Sequence, residues 1–142
     1  MYTALEISKY ILNKCIEINR PISNLQLQKI LYYVQGEYIK YTNGQVLFND
    51  KIMAWDYGPS IPDVYYEYNH YSASNILDFQ NNIELEQSIK DIIDPIIIEK
   101  SLFSAWILVE KTHSESPWID AYNRRRNSSI TINDLKKWFI NN

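Results

Sequence analysis

KIMAWDYGPSIPDVYYEY, residues 51–68, changes within eighteen residues from a strand-like run to a turn and then to a helix. The apolar run 52–55 is too short for a helix, and the Asp-Tyr-Gly-Pro sequence after it favours a turn. Gly58 has a physical reason to precede Pro59, because the residue before a proline is excluded from the α region and glycine tolerates the alternatives. We therefore interpret the rest of the chain around this segment.

The helix after this turn is predicted to begin at Ser60, whose hydroxyl can cap it, with Pro62 in its first turn. Four aromatic side chains are thereby gathered around one rigid corner: Trp55, Tyr57, Tyr65 and Tyr66. Rigid amphipathic rings either fill a core or form a contact surface. The residues of this segment leave both interpretations open.

The composition is that of an ordinary globular domain. The chain has 142 residues, of which 46% are hydrophobic and 22% charged, and this size predicts a single domain over residues 1–142. Its apolar runs are too short to span a bilayer and its first residues do not resemble a signal peptide, so we expect a cytoplasmic protein without a membrane partner. The lone cysteine, Cys15, agrees with a reducing compartment and is predicted to fill the core.

Charge and aromatic residues are unevenly distributed. Residues 1–119 hold nine basic and fifteen acidic side chains, a net charge of −6, whereas residues 120–142 hold five and two, a net charge of +3. Nucleic acid is not expected as a partner, because the basic charge is confined to one short segment. Twelve tyrosines and four tryptophans stand against three glycines, and such rings suit contact surfaces as well as cores.

Hydrophobic periodicity predicts a mainly α fold, a compact multi-helix single domain with one small β-hairpin. Helices are predicted over the ranges 4–18, 24–41, 60–68, 83–100, 101–113, 116–122 and 131–139. The hairpin is predicted to pair residues 46–48 with residues 52–55. Residues 69–82 are predicted to form a loop.

Some helical positions carry specific expectations. Glycine costs about 1 kcal/mol relative to alanine inside a helix, so we expect something to pack closely against the backbone at Gly36. Pro95 is expected to kink its helix or to begin a second one. The adjacent tyrosine pairs at 32–33 and 65–66 are each expected to place one ring in the core and the other on the surface.

The residues indicate no catalytic site, cofactor or metal. Three scattered glycines cannot build a phosphate-binding loop, and His70, His113 and Cys15 have no metal-ligand spacing. Two alternatives stay open. A hydrolase or nucleic-acid-processing enzyme would use His113, Glu115 and the arginines at 124–126, and an operon-regulating DNA binder would use the basic C-terminal segment.

Three segments in order resemble one family. They are LQLQKILYYVQGEYI (25–39), IMAWDYGPSIPDVYYEY (52–68) and EKTHSESPWIDAY (110–122), and together they resemble the Panacea domain of SocA-like, phage-associated proteins. The family pattern joins a Lys-Leu-Leu-Tyr-like helix, an Ala-Trp-x-Tyr-Gly-Pro-x-x-Pro corner and a Thr-His-x-x-x-Pro-Trp segment. Ser60 departs from it, since an aliphatic residue is common there, and so do Tyr33 and Val34.

The resemblance implies an antitoxin that neutralises a cognate protein toxin, encoded in the same operon, by direct binding. It also implies no catalytic residue or cofactor and, for the SocA type, delivery of the toxin to an AAA+ protease. Oligomeric state is left undecided.

Residues of the shared motif are expected to be structural, with His113 and Trp118 packed against the corner. They are Lys29, Trp55, Gly58, Pro59, Pro62, His113, Pro117 and Trp118. Because interfaces rely on a few aromatic and arginine anchors, the expected toxin contacts are Tyr57, Tyr65, Tyr66, Arg124 and Arg125.

Overall fold

Helix α2 (Asn24–Tyr41) lies at the centre of the fold. It contacts five other helices and one strand, and most of its residues are buried. Its sequence is apolar or aromatic on more than one face, which is the pattern of a helix covered by neighbours rather than of a surface helix. The mainly α prediction is confirmed.

The computed structural model describes residues 1–81 and 84–142. Within these ranges the remaining helices are α1 (Ala4–Glu17), α3 (Pro62–Tyr68), α4 (Gln87–Lys100), α5 (Ala105–His113), α6 (Ser116–Arg124) and α7 (Ile132–Phe139), with a 3₁₀ turn at Asn69–Tyr71. Strands β1 (Ile52–Trp55), β2 (Gly58–Ser60) and β3 (Ser129–Ile130) form an antiparallel sheet in the order β2-β1-β3. None of the described helices is long and apolar enough to cross a membrane.

Capping boxes fix the starts of α1, α2 and α7. In each, a serine or threonine hydroxyl accepts a backbone N–H three residues on, and the side chain at that position accepts the N–H of the cap. The two reciprocal bonds satisfy N–H groups that have no partner within the helix. The predicted starts of these three helices are therefore confirmed.

The predicted close approach at Gly36 is also confirmed. A Cβ atom there would lie 2.2 Å from a ring carbon of Phe139, so the aromatic ring of α7 rests on the bare backbone of α2. This contact places the C-terminal helix against the centre of the fold. It explains why a glycine is found where alanine would favour the helix more.

The predicted hairpin is wrong in its pairing. Strand β1 turns back through residues 56–57 onto β2, with Trp55 opposite Gly58, and β3 pairs with the other edge of β1. Residues 46–48 form no ladder with β1. Instead the side-chain amide of Gln35 accepts from the Leu47 N–H at 2.8 Å and donates to the Phe48 carbonyl at 2.7 Å. The Tyr2 N–H donates to the Leu47 carbonyl at 3.2 Å, in an isolated bridge between Tyr2 and Phe48. These contacts satisfy backbone groups of the segment without a ladder to β1.

Several predicted boundaries are shifted. Ser60 belongs to β2, and Ile61 precedes α3 without a side-chain cap. Ser101 ends α4, while Ser104 caps α5. Pro95 lies within α4 and does not begin a second helix. The predicted start of this helix at residue 83 lies outside the described residues.

The buried tyrosines correct a second expectation. Tyr32 and Tyr33 are both buried in the core, so this pair does not place one ring on the surface. Their hydroxyls both donate to the carboxylate of Glu115, each at 2.8 Å. Hydrogen bonds to a carboxylate offset the free-energy cost of burying a phenol hydroxyl. The 65–66 pair behaves more nearly as expected, since Tyr65 is half-buried and Tyr66 is exposed.

Candidate partner-binding site

Exposed aromatic rings cluster around the β1–β2 turn. Tyr57, at the tip of the turn, is 60% exposed and stands edge-on to the ring of Trp106 at 5.4 Å. Trp55 is half-buried, and its ring stands edge-on to that of Tyr65, also at 5.4 Å. Tyr66 continues the surface beyond Tyr65. We call these five residues the aromatic corner.

The backbone of this corner is held by Lys29. The side chain of Lys29 is wholly buried, and its Nζ donates to the Pro59 carbonyl at 2.7 Å and to the Ser60 hydroxyl at 3.3 Å. Gly58 has a φ of +100°, and a Cβ there would lie 2.8 Å from Thr112 Oγ1. Only glycine meets both demands, so the turn is fixed from behind.

Burial lowers the pKa of Lys29 to about 7, because a low-dielectric site disfavours the charged form. The salt bridges among residues 1–81 and 84–142 do not include it. A neutral amine carries two protons, and the two acceptors, Pro59 O and Ser60 Oγ, match that number. The lysine therefore acts as a hydrogen-bond clamp for β2 rather than as one half of a salt bridge.

A column of stacked rings braces the front of the turn. His113 stacks on Trp118 at 4.0 Å, and Trp118 stacks on Tyr122 at 4.5 Å. Each ring also forms a hydrogen bond with the turn. His113 Nε2 donates to the Asp56 carbonyl at 3.0 Å, and Trp118 Nε1 donates to the Trp55 carbonyl at 2.8 Å. The Tyr122 hydroxyl donates to the Asp56 carboxylate at 2.7 Å. His113 and Trp118 thus contact the corner as expected, but through its backbone carbonyls. The Trp55 ring packs on Tyr65 instead.

Beside the corner lies a cavity of about 720 Å³. It is lined by residues from four parts of the chain: Leu25, Gln28, Ala54, Trp55, Asp56, Tyr57, Ser60, Tyr65, Tyr122, Arg126 and Asn127. Two of the expected contact residues, Tyr57 and Tyr65, are wall residues. The others lie elsewhere, with Tyr66 on the adjoining surface.

The expected arginines are divided among different surroundings. Arg124 forms a 2.6 Å ion pair with Asp134 and so joins α6 to α7. Arg125 lines a separate depression of about 380 Å³ next to Lys51. Arg126 lines the larger cavity. Sequence patterns did not single out Arg126 as a contact, although they included this residue among the arginines at 124–126.

Three residues of the enzyme alternative are each engaged with a different partner. His113 bonds the Asp56 carbonyl, Glu115 accepts from the two buried tyrosines, and Arg124 pairs with Asp134. Burial raises the pKa of Glu115, partly offset by the tyrosine hydroxyls. Burial also raises the pKa of Cys15 to about 12, as suits a thiol that fills the core. Residues 1–81 and 84–142 contain no group of three or more potential metal ligands.

Comparison with known proteins gives a consistent assignment. The family profile described as "Antitoxin SocA-like, Panacea domain" matches residues 27–119. The chain belongs to the SocA-like Panacea family. "Antitoxin SocA" of Caulobacter vibrioides (strain NA1000 / CB15N) is 31% identical to it over 128 residues, and the match covers 81% of this chain and 68% of that protein. No solved structure matches.

The Panacea match runs from α2 to the first turn of α6. It includes Lys29, the β1–β2 turn and the ring of Trp118, which together fix the corner. Tyr122 and Arg126, which complete the cavity, lie beyond it. Sequence patterns did not predict the role of Tyr122. Its spacing of four from Trp118 could have indicated it, since residues four apart share one face of a helix.

Proposed function

We propose that this Panacea protein is an antitoxin that binds a protein toxin encoded beside it and neutralises it in the cytoplasm. Membership of the family supports the antitoxin role. The observation that supports direct binding is the aromatic corner, in which Tyr57, Tyr66 and Trp106 are each more than half exposed. Exposed large aromatic side chains held together on one surface are typical of protein contact sites.

The corner is suited to recognition because it is rigid before binding. Lys29 holds β2 from behind and the His113–Trp118–Tyr122 column holds the turn in front. A contact surface that is already ordered loses less conformational entropy on association. We therefore propose that Tyr57, Tyr65 and Tyr66 contact the toxin. Arg124 is paired with Asp134 and Arg125 lines another depression, so the proposed contacts are the three tyrosines.

Coexpression with the neighbouring gene tests this function. The product of that gene is expected to stop growth when expressed alone, and growth should return when this protein is expressed with it. The two proteins should copurify as a complex of stable composition. A neighbouring product that is harmless alone, or one that stays toxic in the presence of this protein, would refute the proposal.

Delivery of the toxin to an AAA+ protease stays a prediction from the family resemblance. Its test is the half-life of the toxin after protein synthesis is stopped, with and without this protein. Adaptor function requires faster loss of the toxin when both are present, whereas masking alone would leave the toxin stable. DNA binding to its own upstream region, the remaining alternative, would appear as a complex that weakens steeply as salt is raised.

A further inference from the structure

The cavity beside the aromatic corner combines apolar walls with hydrogen-bond donors. Trp55, Tyr57 and Tyr65 supply the walls, and its floor contains two buried polar residues, Gln28 and Ser60. An occupant of this cavity must therefore bring an apolar group for the rings and an acceptor for the floor. Its volume, about 720 Å³, is large enough for more than one side chain.

Gln28 is oriented so that it presents a donor. Its side-chain oxygen accepts the Ile61 N–H at 2.8 Å, which fixes which end of the amide faces that way. Its nitrogen donates one proton to Asn24 at 2.9 Å. An amide nitrogen has two protons, and the second has no acceptor in the part of the chain that the structure describes.

Ser60 is the second polar group of the floor. Its oxygen accepts from Lys29 Nζ at 3.3 Å, and its hydroxyl reaches the Gly58 carbonyl only at 3.4 Å. That distance is long for an O–H donor, whose hydrogen bonds usually measure about 2.5–3.0 Å. The hydroxyl can therefore turn toward an acceptor in the cavity with little loss.

The rim adds a cation. Arg126 is exposed, and the salt bridges formed among residues 1–81 and 84–142 do not include it. The acidic residue of the lining, Asp56, already accepts the Tyr122 hydroxyl at 2.7 Å. A carboxylate is the group that guanidinium binds best, through two parallel hydrogen bonds. Floor and rim thus offer donors to one anionic group.

Building on the proposed function, we propose that this cavity takes up a segment of the toxin in which an apolar side chain adjoins a carboxylate. The apolar side chain packs against the walls formed by Trp55 and Tyr65, and the carboxylate accepts from Arg126 at the rim and from the floor. A basic segment would find one anionic group in the lining, Asp56, but it would also face Arg126 and the donor of Gln28, which offer it no acceptor.

Two neighbouring arginines provide a matched pair of variants. Arg126→Glu reverses the charge at the cavity, and Arg125→Glu makes the same change in net charge beside the smaller depression. Titration calorimetry with the toxin encoded by the neighbouring gene is expected to show binding about tenfold or more weaker for Arg126→Glu. Arg125→Glu should stay within about threefold of wild type. Equal losses, or no loss in either variant, would overturn the proposal.

A photo-crosslinking residue at position 57 identifies the occupant directly. In the purified complex it is expected to label a toxin segment that has Asp or Glu within about two positions of an apolar residue. Labelling of a segment without a carboxylate, or no labelling in a complex that still forms, would contradict the cavity assignment while leaving the antitoxin function intact. If the wild-type proteins form no complex at all, the antitoxin proposal itself fails and this one fails with it.

Discussion

Lys29 is a buried amine whose environment favours the neutral form. Its folded-state pKa is lowered to about 7 by burial, from an ordinary value of 10.5. Between these two values the unfolded chain binds more protons than the folded chain, so this residue makes stability rise with pH. Below the folded pKa both states are protonated and the contribution to the slope ends.

Lys29→Met removes this titration together with the hydrogen bond to the Pro59 carbonyl. At about pH 9 the variant should be less stable by about 1–3 kcal/mol, the cost of leaving a buried acceptor without a partner. The difference from wild type should shrink toward about pH 7, where wild-type Lys29 becomes costly to bury. Urea unfolding at several pH values measures both proteins. Since other groups titrate alike in the two, a difference that is independent of pH would show that Lys29 is not neutral when folded.

Trp55 is less important to stability than its place in the motif suggests. A fully buried tryptophan replaced by alanine typically costs about 3–5 kcal/mol, but this ring is half-buried and packs edge-on against Tyr65. Trp55→Ala should therefore cost about 1–2 kcal/mol in free energy of unfolding, from lost area and the aromatic contact. Denaturant titration provides the value. A loss of more than about 3 kcal/mol in the free energy of unfolding would mean that the Trp55 ring contributes to stability as a fully buried ring does.

At the scale of elements, α2 and α7 meet through one glycine and one ring. Gly36→Ala places a methyl group 2.2 Å from the present position of the Phe139 ring, so α7 must move or the ring must leave its site. We expect a loss of about 1–3 kcal/mol, typical of overpacking, although alanine is the better helix former.

Phe139→Leu in the same chain separates this clash from any other effect at position 36. The smaller side chain removes the ring, so the double variant should be more stable than the sum of the two single losses predicts. Thermal unfolding of the four proteins gives the coupling energy. Simple additivity within about 0.5 kcal/mol would mean that Gly36 and Phe139 do not share this contact.

Sequence patterns predicted local structure better than pairing between distant segments. The capping boxes and the apolar stripes determine helix starts within a few residues, and the bare backbone of Gly36 indicated a close neighbour. The strand partner of β1 was mispredicted because residues 46–48 also have a strand-like pattern. Their backbone groups bond instead with the side chain of Gln35 and with the N–H of Tyr2, contacts that no period along the chain indicates.

For the molecule as a whole, most of the aromatic corner could be predicted but the cavity beside it could not. Four of the five rings of the corner, those of Trp55, Tyr57, Tyr65 and Tyr66, lie within residues 51–68, where a turn followed by a helix must bring them together, whereas Trp106 comes from α5. The cavity also needs Gln28 from α2 and Arg126 from beyond α6. Both residues come close to the corner only because β1 pairs with β2 on one edge and with β3 on the other. The predicted hairpin gave β1 a different partner.

The division between scaffold and surface predicts which substitutions separate folding from neutralisation. Replacing both Tyr57 and Tyr66 by serine removes two exposed rings, 60% and 62% exposed, and leaves the Lys29 clamp intact. Surface changes of this kind typically alter stability by about 0.5 kcal/mol or less, so the melting temperature should stay within about 4 °C of wild type. Rescue of growth from the coexpressed toxin should be lost.

Tyr41→Ser is the matched control, because Tyr41 is 64% exposed at the far end of α2 and its loss should leave rescue unchanged. If the double variant still protects cells at wild-type expression, the toxin binds another face; if it melts much earlier, these tyrosines belong to the scaffold.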